Sequence, residues 1–190
     1  MRSPRGFAAA IAFLAALPVA AICEAAAPDR GGVIAIHLVL SLGAALLVPA
    51  TFDFRTPRWI TWVGSIAALF LAVTFLLQGL STWAKDEWLA HLAYQVLGQG
   101  LESLAGNLFY CWCIAVLVND SRGASRIVGV IALTIAIAAR GYDYYLSSLG
   151  RSLGEAAPPL QVMAFLPFLW LLLEGRKQEP RESLRTSSGV

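Results

Sequence analysis

The stretch Asp86–Val118, DEWLAHLAYQVLGQGLESLAGNLFYCWCIAVLV, is apolar enough for a membrane yet carries a line of polar side chains. At 100° per residue His91, Gln95, Gln99, Glu102, Gly106 and Cys113 fall at about 0°, 40°, 80°, 20°, 60° and 40°, within one quarter of a helix. Such a stripe must meet water, a partner or another helix, because hydrocarbon offers its polar groups nothing. A continuous helix here would run roughly 50 Å at 1.5 Å per residue, against ~30 Å of hydrocarbon. Gly98 and Gly100 therefore predict a break, with an amphipathic interfacial helix followed by a span from about Leu101.

Working outward, every flanking apolar run is close to the ~20 residues that cross a bilayer. Upstream, Val33 to Ala50 holds His37 and ends at Pro49 and Asp53, and Trp59 to Leu80 opens on Trp59 and Trp62 as interfacial anchors, with Gln78 near its far end. Phe7 to Ile22, behind Arg2 and Arg5, fits a first span or a secretory signal cut near Ala25 to Ala27; the retained span is favoured because Pro28 would follow the cut directly. Downstream, Ile127 to Leu146 carries Arg140 and Asp143 among Tyr142, Tyr144 and Tyr145. Pro158 and Pro159 then lead into a short sixth span, Leu160 to Leu173, with Pro167 in its middle. The expected architecture is an all-α, polytopic transmembrane bundle of about six spans over residues 1–175, with a polar, disordered tail over 176–190.

Composition agrees. Only 14% of the 190 residues are charged and 58% are hydrophobic, where a soluble domain carries about 25% charged. The net charge of +2 lies in short clusters between apolar runs, so nucleic acid is excluded as a partner and the clusters read as topology signals. Arg2, Arg5, Arg55, Arg58, Arg122, Arg126, Arg176, Lys177, Arg181 and Arg185 fall on one side, and Arg30, Lys85 and Arg151 on the other. The positive-inside rule then puts both termini in the cytoplasm of a plasma or inner membrane.

Few reaction types have support. Cys23, Cys111 and Cys113 all lie in apolar context, which argues against a disulfide framework, and Cys111 and Cys113 point roughly 200° apart on a helix, so no metal site is expected. No lysine lies within a span to hold retinal, and no nucleotide, hydrolase or metalloprotease motif occurs. His37 and His91 are the only histidines. On a continuous helix His91 would sit about 16 Å beyond Glu102 and could not share a haem with His37; a haem requires the segment to fold over.

The polar side chains converge on one level. Counted from the cytoplasmic ends at 1.5 Å per residue, Arg140, His37, Glu102 and Gln78 lie roughly 20 to 30 Å up, in the outer half. Glu102 and Arg140 are the expected pair, since a short turn joins their spans. His37, Gln78, Gln99, Glu102 and Arg140 are the candidate ligand-binding residues, with Arg140 as anion partner and Glu102 as its counter-charge. The expectation is a membrane protein that binds, and passes on, a small amphipathic or lipid-like ligand in a polar cavity open to the outer leaflet, among membrane lipids. Two other classes fit the same residues. One is a structural or accessory subunit with a membrane-protein partner, its polar groups bridging helices. The other is an intramembrane enzyme or a haem or quinone carrier; no cofactor is specified.

Overall fold

The computed structural model describes residues 4–26, 31–81, 88, 100–150, 163 and 165–176. Every regular element among them is helical: α1 (Pro4–Ala26), α2 (Gly31–Ala50) with a 3-10 turn at Thr51–Asp53, α3 (Arg58–Ser81), α4 (Gly100–Asn119), α5 (Ala124–Ser148) and α6 (Leu166–Arg176). Four stretches, Val33–Asp53, Arg58–Ser81, Gly100–Asn119 and Ala124–Ser148, are long and apolar enough to cross a membrane. The protein is a membrane-embedded helical bundle. His91, Gln95 and Gln99, the interfacial helix expected before α4, and the tail beyond Arg176 lie outside the described residues.

The turns are closed by local hydrogen bonds. Beyond Pro49 the chain tightens into the 3-10 turn, where Thr51 Oγ1 donates to the Val48 carbonyl at 2.8 Å. Phe54 then becomes extended (φ −91°, ψ 147°), and the Thr61 amide donates to the Pro57 carbonyl at 3.0 Å to open α3. At the other turn the amides of Asp120 and Ser121 both donate to the Val116 carbonyl, at 2.8 and 3.2 Å, which ends α4. Gly123 reverses the chain at φ +61°, a conformation that suits a residue without Cβ.

The last helix is described over Leu166–Arg176, with Pro167 in the first turn of that stretch; residues 160–162 and 164, where the expected span begins, lie outside the described residues. The amides of Phe168 and Leu169 reach back to the Phe165 carbonyl at 3.0 and 3.4 Å. A proline has no N–H to give and its ring would clash with a preceding turn, so a first turn accommodates one without losing a hydrogen bond.

Successive helices pack side by side, and α1 closes the ring against α6. The ring's centre is filled with aromatic rings. Phe13 of α1 stacks on Phe168 of α6 at 3.8 Å between centroids, and Phe168 stacks on Phe109 of α4 at 5.0 Å. Phe109 leans on Trp112 at 5.7 Å, which meets Phe54 edge-on at 5.3 Å. Each such pair contributes ~0.5–1.5 kcal/mol beyond its area. Among helices immersed in lipid, close packing of this kind replaces the hydrophobic drive.

Small residues admit the large ones. A Cβ added at Gly64 would stand 2.4 Å from the Trp112 ring, and one at Gly129 would stand 2.6 Å from both Trp170 and Leu117. Trp112 and Trp170 are both fully buried. Along this ring the α4–α5 seam is the loosest, although a short turn joins the two helices.

Candidate functional site

The polar residues at the end of the bundle away from the two turns form two groups, one on each side of α4. On the α3 side Gln78 is buried, 3% exposed, and its Nε2 donates to Glu102 Oε2 at 2.9 Å. Ser81 Oγ in turn donates to the Gln78 carbonyl at 2.7 Å. His37 of α2 packs beside them: a Cβ at Gly79 would lie 3.0 Å from the His37 Cβ. Its Nδ1 is 2.7 Å from the Val33 carbonyl, which can only accept, so Nδ1 is the donor. Gln99 lies outside the described residues.

Arg140 belongs to the other group. The expected pairing with Glu102 is not made; among the described residues the ion pair of Arg140 is with Asp143 of its own helix, at a loose 3.9 Å. Arg140 Nη2 donates instead to Ser103 Oγ at 3.1 Å. The reason is helical geometry. Residues 102 and 103 point about 100° apart, and α4 lies between α3 and α5, so Glu102 faces Gln78 while Ser103 faces Arg140.

Around Arg140 the α4–α5 seam is polar on both walls. Ser103, Gly106, Asn107 and Tyr110 recur at i, i+3, i+4 and i+7 and so share one face of α4. Gly106 lies beside the guanidinium, where a Cβ would make an ordinary van der Waals contact with Arg140 Nη2 at 3.8 Å. From α5 come Arg140, Asp143 and Tyr144. The Arg140 guanidinium lies over the Tyr144 ring at 5.2 Å, and Asn107 Nδ2 donates to the Tyr144 hydroxyl at 3.1 Å. Tyr142 and Tyr145 stack on each other at 6.3 Å, on the opposite side of α5 from Arg140.

The guanidinium is underused. Its Nε is buried and finds no hydrogen-bond partner, and its contact with Asp143 is longer than a hydrogen bond. The side chains of Arg140 and Asp143 are 20% and 29% exposed, so the pair can be reached from outside. Sequence reasoning placed Arg140 at this level but took the Glu102 stripe as its partner, missing Ser103, Tyr110 and the role of Asp143. The helical spacing of Ser103, Asn107 and Tyr110 was the available signal.

A third polar cluster lies at the opposite end. Glu174, 8% exposed, accepts a hydrogen bond from Ser125 in the first turn of α5, where the helix dipole favours a carboxylate. This fastens α6 to α5. No group of His, Cys, Asp and Glu able to hold a metal occurs among the described residues, and Cys111 is exposed while Cys113 is buried.

Fold and site together define a class: a membrane-embedded helical bundle with a polar, arginine-centred seam between two neighbouring helices. The comparisons add no narrower identity, since no family model, no curated protein and no solved structure matches the chain.

Proposed function

We propose that this protein binds a small amphipathic, lipid-like ligand at the α4–α5 seam, with an anionic group of the ligand on Arg140 and its apolar part against the flanking helices. The observation that carries this reading is the unpartnered Nε of Arg140, beside an Nη1 that only loosely meets a carboxylate. A guanidinium binds oxyanions best through two parallel N–H bonds, and the buried Nε N–H has no protein partner that an oxyanion would have to displace. Ser103, Asn107 and Tyr144 supply neutral polar contacts around it. His37, Gln78 and Glu102, across α4, form the polar ground of the neighbouring seam, where Gln78 keeps Glu102 occupied.

Six spans with cytoplasmic termini would place Arg140 in the outer half of the bilayer. Arg140 lies eight residues before Ser148, about 12 Å below the end of α5 at 1.5 Å per residue, and its long side chain rises from there toward the headgroups. A ligand held here would enter sideways from the leaflet. The test is to purify wild type and Arg140→Gln in a maltoside detergent and identify co-purifying organic molecules by mass spectrometry. The expected result is an acidic or phosphate-bearing amphiphile at fixed stoichiometry with wild type and its loss from the variant. Equal recovery from both, or no bound molecule in either, would overturn the proposal.

A further inference from the structure

We infer that the seam selects a zwitterionic headgroup, a phosphodiester joined to an ammonium, over a purely anionic one; this rests on the reading of Arg140 as the anion site. The argument begins with Asp143. Its carboxylate stands 3.9 Å from the Arg140 guanidinium, near enough to repel any anion that arrives there and too far to satisfy the guanidinium by a hydrogen bond. An anion alone must therefore displace or tolerate a like charge. A ligand that brings its own cation turns that cost into a second ion pair.

The order of the charges fits such a ligand. Arg140 and Asp143 lie one turn apart on the same face of α5, with a rise of about 4.5 Å at 1.5 Å per residue. Asp143 is the nearer of the two to the helix end at Ser148, and thus to the membrane surface, whichever side that surface faces. A membrane phospholipid presents its charges in the matching order, phosphodiester below and ammonium above, separated by a short two-carbon link. Ser103 Oγ, already on Nη2, and the Asn107–Tyr144 pair complete a polar wall for the phosphodiester. Phosphate on Arg140 and ammonium on Asp143 would leave the seam with no net charge.

The experiment titrates the full-length protein in maltoside micelles with three probes: dodecylphosphocholine, dodecyl phosphate and glycerophosphocholine. Wild type is expected to bind dodecylphosphocholine about 10-fold more tightly than dodecyl phosphate, the size of one charge-assisted contact. Weak binding of glycerophosphocholine would assign the site to a lipid, and equal binding would assign it to the free headgroup. Asp143→Asn is expected to erase or reverse the preference by weakening the zwitterion and strengthening the anion. Arg140→Lys, which keeps the charge without the fork, should weaken both phosphate probes and retain the preference. A wild type that prefers dodecyl phosphate, or an Asp143→Asn variant with unchanged preference, would overturn the inference while leaving the anion site standing. Binding unaffected by both Arg140→Lys and Arg140→Gln would overturn the anion site itself.

Discussion

Gln78 and Glu102 show how a single polar pair is tolerated at depth. Each would be costly alone in an apolar layer, but the amide N–H and the carboxylate satisfy each other at 2.9 Å. Gln78→Leu should therefore lower stability by ~1–3 kcal/mol, because it strands the carboxylate, and Gln78→Leu with Glu102→Leu should recover most of that loss. Thermal unfolding in detergent reads both. A double variant no more stable than the single one would mean that the pair does not act as a unit.

At the scale of the helix, packing is set by where glycine lets an indole sit. Trp112 is wedged between Phe54 and Phe109 with Gly64 beneath it, so it has no room to retreat. Gly64→Ala should cost ~1–3 kcal/mol by overpacking, and Trp112→Phe in the same chain should relieve part of that strain. Gly141→Ala is the control, since nothing lies within 4 Å of a Cβ there. Equal melting temperatures for Gly64→Ala and Gly141→Ala would contradict the packing described.

The helices were legible in the sequence and their facing was not. Apolar runs between Arg, Pro and Gly residues marked α2 to α5 to within a few residues, because a span must be apolar along its whole length. Of the Leu160–Leu173 run the described helix covers Leu166 onward, with Pro167 in its first turn. Depth placed Arg140 near Glu102, but rotation about α4, fixed by packing with α3 and α5, decides which neighbour each residue sees. Glu174 was passed over for the same reason: its partner Ser125 lies on a different helix, far off in sequence.

On the scale of the whole bundle, the aromatic column among the described residues occupies the middle of the ring, so a ligand is better served at the rim, where α4 and α5 part. The account also sets an orientation. With a membrane-impermeant maleimide on intact cells, a chain whose only cysteine is Ser148→Cys should label and one with Arg122→Cys should not; the reverse pattern would invert the bundle. The most direct test of the central claim is to photocrosslink a phosphatidylcholine with a diazirine near its headgroup in reconstituted membranes, and to map the adducts by mass spectrometry. Adducts concentrated on Asn107, Tyr110 and Tyr144, and lost in Arg140→Gln, are the predicted result. Adducts spread evenly around the ring, indifferent to Arg140, would contradict it.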